Sequence, residues 1–150
     1  MARRKAKVAK ELVREGRQYA ALPLAVEDGE TRVMLITSRE TRRWIIPKGW
    51  AEPGLAPHEV AAKEAREEAG LVGAIAAEPI ASYSYEKRLP KGEIRLCEVD
   101  VYPLAVDRQL AKWPEKKQRL TRWFSFAEAA LEVEEGGLIT LLLSLAAEEG

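Results

Sequence analysis

Residues 49–71 read GWAEPGLAPHEVAAKEAREEAGL, and this stretch decides the fold. Pro57 suits the first position of a helix, because its missing N–H would have had no partner there. Gly70 is the usual left-handed residue at a helix end. The spacing therefore predicts a helix over 57–69, entered from a loop that contains Pro53 and Gly54. At about 100° per residue, Glu64, Glu67 and Glu68 fall within roughly 100° of one another. Ala62, Ala65 and Ala69 mark the opposite side as one that lies close on a sheet. Three like charges at i, i+3 and i+4 weaken an isolated helix, so the arrangement calls for a compensating positive charge. A hard divalent cation, Mg²⁺ or Mn²⁺, supplies it through oxygen ligands. The plain structural alternative is a solvated helix face with Lys63 and Arg66 as neighbours.

Working outward, residues 18–26 (QYAALPLAV) and 32–38 (RVMLITS) are apolar and partly β-branched around a Glu27-Asp28-Gly29-Glu30 turn, which reads as a hairpin. Residues 43–47 form a short third strand that ends at Pro47. After the helix come two longer strands, 75–87 and 93–106, joined at Leu89-Pro90-Lys91-Gly92. A last short strand over 122–125 precedes a helical end, 126–147, which Gly136-Gly137 is expected to split. This order predicts a mixed α/β layered domain, and 150 residues with 47% hydrophobic content are enough for one domain with its own core.

Lys plus Arg and Asp plus Glu both number 24, so no global charge announces a nucleic-acid or membrane partner. Charge is blocked along the chain: a basic N-terminal tail over 1–17, a basic stretch over 107–123, and an acidic end over 127–150 with no basic residue. Nucleic-acid binding through the tail is not favoured, because aromatic platforms between its charges are absent from residues 1–18. The apolar run 138–147 is about half of a membrane span. Cys97 is the single cysteine, which excludes a disulfide framework and a Cys-rich zinc site. The chain is expected in the cytoplasm.

Gly49, Glu64, Ala65, Glu67, Glu68, Gly70 and Leu71 stand in register with G-x5-E-x7-R-E-U-x-E-E-x-G-U, and the segment resembles the Nudix box. Two positions depart: Leu55 stands at the first Glu and Lys63 at the Arg. In the family those residues brace loop against helix. Since Leu55 cannot pair with Lys63, the substitution Lys63→Ala is expected to cost little stability. The segments Arg39, 43–47, Lys112-Trp113-Pro114-Glu115, Arg122-Trp123-Phe124 and Glu128-Ala129 look like the diphosphoinositol polyphosphate and diadenosine polyphosphate hydrolases of the Nudix superfamily.

The resemblance implies a Nudix-like α/β/α sandwich, a mixed sheet between helices, that hydrolyses a diphosphate linkage in a small phosphorylated molecule with Mg²⁺ or Mn²⁺. It implies Glu64 and Glu68 as metal ligands, Glu67 as a ligand or proton acceptor, and a backbone carbonyl near Lys48 or Gly49. The general base stays open among these glutamates and loop carboxylates such as Glu86 or Glu93. Arg39, Lys48, Arg95 and Arg119 are the expected phosphate contacts. Trp50, Tyr83 and Tyr85 are candidate ring contacts, whereas Trp44, Cys97 and His58 read as core, core and surface. A binding module that has lost turnover is the competing reading, supported by Leu55, and an enzyme of the family acting on another nucleotide or capped RNA is a further alternative. The cations gathered around the box point to ligands with several phosphates, diadenosine or diphosphoinositol polyphosphates above all.

Overall fold

The computed structural model describes residues 16–89 and 92–149. Most of the basic tail and two residues of the 89–92 turn, Pro90 and Lys91, lie outside the described residues. The sheet is built on a parallel pair: β1 (Arg17–Glu27) lies beside β7 (Ile94–Gln109) from Arg17 opposite Glu98 to Leu24 opposite Ala105. β2 (Glu30–Thr37) turns back on β1 through Asp28 and Gly29, both at positive φ, which is the geometry of a two-residue hairpin. β3 (Trp44–Ile45) and β8 (Thr121–Ser125) pair with β2, and β4 (Lys48–Trp50) pairs with β1. β5 (Leu71–Ile75) and β6 (Ala81–Arg88) both pair with β7. All pairs except the central one are antiparallel, so the eight-stranded sheet is mixed as expected.

Strand alternation sends side chains into two cores. Leu22, Val33, Leu35, Val99 and Val101 face α2 (Phe126–Glu132) and α3 (Gly136–Glu149), where Leu138 and Leu142 are fully buried. Ala21, Met34, Ile36, Tyr102 and Leu104 face α1 (Pro57–Ala69). The helices thus cover both faces of the sheet.

Three expectations need correction. The strand expected over 75–87 is two strands: 76–80, which contains Pro79, leaves the sheet, and β5 instead starts directly at Leu71. β4 was not foreseen, because three residues with a central glycine carry no periodicity. The terminal helix breaks at Val133-Glu134-Glu135, ahead of the glycine pair. Buried Val133 adopts extended backbone there and bridges to Trp44, and Gly136 opens α3.

α1 matches its predicted bounds, since its start and stop are local chemistry. Glu59 accepts a hydrogen bond from the Ala56 N–H at 2.8 Å, and Gly70, at φ 69°, donates its N–H to Arg66 O at 2.9 Å. The face against the sheet holds Ala65 and Ala69 as expected, with Ala61 in place of Ala62. That rotation carries Glu68 into the buried side of the helix.

Gly70 has a second constraint: a Cβ there would overlap the six-membered ring of Trp113. Gly54, also at positive φ, meets nothing within 4 Å. Gly54→Ala should therefore lose about 1 kcal/mol in denaturant melts, the conformational penalty alone, and Gly70→Ala more than about 2 kcal/mol. Equal losses would show that the Trp113 contact adds nothing.

Candidate active site

The box glutamates meet the sheet where β4 passes α1. The Lys48 N–H donates to Glu68 Oε1 at 3.3 Å. Gly49, opposite Tyr19 on β1, leaves open the space where a Cβ would come 2.5 Å from the Glu64 carboxyl carbon. The carboxyl groups of Glu64 and Glu68 lie within reach of each other, and each perturbs the titration of the other. Glu68 is 5% exposed. Burial pushes its carboxyl up to about 8, with Arg119 opposing and the Glu64 charge adding to the shift. Burial also raises Glu64, opposed by its hydrogen bond to Glu68.

Arg119, expected to contact phosphate, sits behind this pair with its side chain 7% exposed. Its Nη2 is 3.6 Å from Glu68 and 2.9 Å from Glu115, and its Nη1 donates to Thr37 O at 3.1 Å. It is a buried counter-charge more than a free phosphate ligand. The segment that carries it is tied to the end of α1, whose last carbonyls need donors. Leu110 N–H donates to Gly70 O at 2.7 Å, Glu115 N–H to Glu67 O at 3.1 Å, and Gln109 Nε2 to Ala69 O at 3.0 Å.

A cleft of about 690 Å³ opens above Glu68. Its basic residues are Arg39, Arg43, Lys48, Lys87 and Arg119, and its acids are Glu40, Glu68, Glu86, Glu134 and Glu135, five of each. Arg39 is more than half exposed at the rim, with Nη1 donating to Gln118 at 3.1 Å and Nε 3.7 Å from Glu115. Lys48 is nearly buried, with Nζ 3.4 Å from Glu135 and 4.9 Å from the Tyr85 ring centre. Arg95 stands outside the lining of the cleft: it and Lys87 lie 5.9 and 5.0 Å from the ring of Trp50, which is likewise outside the lining. Arg122 stacks on Trp44 at 5.1 Å. The expected cluster of cations is therefore divided, and what reaches the cleft is balanced by acid.

Tyr83 is core, donating its hydroxyl to Glu135 at 2.8 Å, while Tyr85 lines the cleft and donates to Gln18. Cys97 is buried. His58 is half-buried, 6.5 Å from the Tyr102 ring. Glu86 lines the cleft and Glu93 does not.

Glu67 diverges from the other two glutamates: it is 3.6 Å from Lys63, one helical turn earlier. Among the described residues, no three His, Cys, Asp or Glu side chains gather around one point. Glu64 and Glu68, beside the Lys48-Gly49 backbone, nevertheless form an all-oxygen donor pair suited to a hard divalent cation. The upward shift of Glu68 comes first from burial, and Arg119 offsets only part of it. Lys63 is not without a partner, as the sequence suggested: its Nζ donates to both oxygens of Glu52, at 2.9 and 2.8 Å. The loop-to-helix brace persists with its carboxylate three residues ahead of Leu55. Both side chains are about 40% exposed, so the pair holds geometry more than stability.

Sequence reasoning missed Glu115, Glu134, Glu135 and Gln18. The Glu115 to Arg119 spacing of i, i+4 was a usable signal. Glu134 and Glu135 lie within the acidic end over 127–150, where nothing in the sequence marks them out from their neighbours.

The sequence profile of the NUDIX domain matches residues 16–142. "Nudix hydrolase 16, mitochondrial" of Arabidopsis thaliana is 34% identical over 101 residues, covering 65% of this chain and 56% of that protein. "Nudix hydrolase 21, chloroplastic" of the same organism is 31% identical over 102 residues, 67% of this chain and 50% of that protein. The chain spans about half the length of the curated relatives it matches. Among solved structures, C. elegans Ap4A hydrolase aligns with TM-score 0.62 and 17% identity over 90% of this chain and 98% of its own. E. coli dihydroneopterin triphosphate pyrophosphohydrolase aligns with TM-score 0.65 and 15% identity over 88% and 95%. At these identities the two structures speak for the fold.

The Glu68 shift carries a sign that melts can read. An acid with a raised folded pKa binds more protons folded than unfolded, so stability falls as pH rises. In metal-free buffer the protein should lose stability from about pH 4.3, the unfolded carboxyl value, to about pH 8. Glu68→Gln should flatten that slope, and an unchanged slope would place the proton elsewhere.

Proposed function

The chain belongs to the Nudix family, and from that premise we propose that it is a metal-dependent pyrophosphohydrolase acting on a diphosphate linkage in a small phosphorylated molecule. The observation that supports this most is the pair of Glu64 and Glu68 beside the Lys48-Gly49 backbone, with Glu68 lining a cleft of about 690 Å³. Bound there, Mg²⁺ or Mn²⁺ would neutralise phosphate charge and acidify an attacking water. The residues of the chain do the rest. Glu64 and Glu68, ionised, would present oxygens to the cation. Arg119 keeps Glu68 oriented, through Glu115 and the Thr37 carbonyl. Arg39, exposed at the rim, reaches the phosphates, and the brace from Lys63 to Glu52 holds the loop over α1. Glu86, on the lining of the cleft, is a carboxylate placed to accept the proton of the water, whereas Glu67 turns toward Lys63.

The charge parity of the cleft bears on the substrate. Apart from Glu68, which would hold the cation, the cleft sets four acids against five bases, and this near balance suits a diphosphate with neutral nucleoside ends better than a ring carrying phosphate on every side. We therefore favour a diadenosine polyphosphate over a diphosphoinositol polyphosphate, the first of which is also the substrate named for the C. elegans neighbour. This reading takes the chain as a single domain acting in the cytoplasm, although relatives it matches are named as mitochondrial. No helix among the described residues is long and apolar enough to cross a membrane.

A substrate panel with Mg²⁺ and Mn²⁺ tests the proposal. Hydrolysis should require the cation, and kcat/KM should be higher for diadenosine tetraphosphate than for a diphosphoinositol polyphosphate. Glu68→Gln should lower kcat by about a hundred-fold or more with the fold retained. Full activity in excess chelator, or in that variant, would remove the metal-dependent reading.

A further inference from the structure

Glu135 occupies the corner between α2 and α3, where its carbonyl accepts the Ile139 N–H at 3.0 Å and so opens α3. Its carboxylate leans into the cleft, and each oxygen has one donor: Tyr83 Oη at 2.8 Å on Oε1 and Lys48 Nζ at 3.4 Å on Oε2. The side chains of Glu135 and Lys48 are 15% and 8% exposed. Lys48 is also the residue whose backbone N–H meets Glu68. One residue thus joins the glutamate pair of α1 to an acid on the facing wall. At the rim the same corner repeats the pattern, with Glu134 2.9 Å from Arg43.

We infer that Glu135 is a specificity-determining residue: it decides whether the subsite beside Lys48 takes a phosphate or a neutral, hydroxyl-bearing group such as a ribose. A phosphate arriving there meets a lysine already neutralised and a carboxylate that repels it. A ribose hydroxyl meets the opposite situation, because an ionised carboxylate is acceptor-only and each oxygen keeps a free lone-pair direction. Glu135 acts on phosphate through Lys48 and on hydroxyls directly. The inference rests on the proposed pyrophosphohydrolase reading only in placing the diphosphate over Glu68.

Equilibrium binding in metal-free buffer, where turnover does not interfere, provides the test with two probes. Inorganic tripolyphosphate carries phosphate throughout, and ADP-ribose flanks its diphosphate with sugars. Glu135→Gln should tighten tripolyphosphate by about tenfold and weaken ADP-ribose severalfold, inverting the preference. Lys48→Gln should weaken tripolyphosphate by about tenfold, and the double variant K48Q/E135Q should recover it. The double variant removes both partners of a pair, so it keeps the test open should Glu135→Gln alone fold poorly. A merely structural role for Glu135 would move both probes together with the melting temperature. Parallel changes for the two probes, or no recovery in the double variant, would overturn the inference. A folded wild type that binds neither probe would remove the cleft reading itself, a different result from an unchanged ratio.

Discussion

A carboxylate buried between a helix and a sheet must find charge or a proton, because desolvating an isolated anion is prohibitive. Glu68 is in that position, and the surrounding structure is arranged as the answer. Glu64 lends a neighbouring carboxyl group, Lys48 a backbone N–H, and Arg119 a guanidinium that Glu115 and Thr37 hold in place. Those partners come from α1, β4, the segment before β8, and the end of β2. The placement of four elements is therefore expressed in the surroundings of one side chain. An ion pair of this kind is a weak source of stability but a strict constraint on geometry, since loss of any partner leaves charge uncompensated.

The same logic explains which parts of the molecule were legible in the sequence. Helix α1 was legible to its end residues, because a proline at its start and a left-handed glycine at its stop are local features. The alternation of β1, β2 and β7 was legible for a similar reason. The orientation of α1 was not: Ala61 and Ala62 are equally small, and glutamates placed outside by rule turn out to include one on the inside. β4 and the break at 76–80 lack any periodic signature. In the site, the box residues could be read in order along one helix. Glu135 finds Tyr83 and Lys48 at separations of 52 and 87 residues, and a charge count by blocks cannot reveal such pairs.

The altered motif positions show the difference between a pattern and the interaction behind it. Leu55 breaks the pattern, yet a carboxylate three residues earlier reaches the same helix position, and Lys63 grips it with a single ammonium on both oxygens. A lysine is a point donor on a flexible stem and does not need the fixed fork that suits arginine to a carboxylate at one set place. The substitution of Arg by Lys and the displacement of Glu are then one change, not two. Lys63 also draws Glu67 toward itself, which is why the three glutamates of the helix do not converge.

The parallel pairing of β1 with β7 has a consequence for biosynthesis. Arg17 and Glu98 are bonded across 81 residues, and no shorter route through the sheet holds β1 against its neighbour on that side. As the chain leaves the ribosome, the first hairpin and α1 emerge before β7, Arg119 and Glu135. Until then Glu68 is an ordinary solvated carboxylate, and the box is a helix without a floor. The surroundings of Glu68 thus assemble together, when the long loop closes. A nascent chain carries the complete box well before it carries the partners that enclose it.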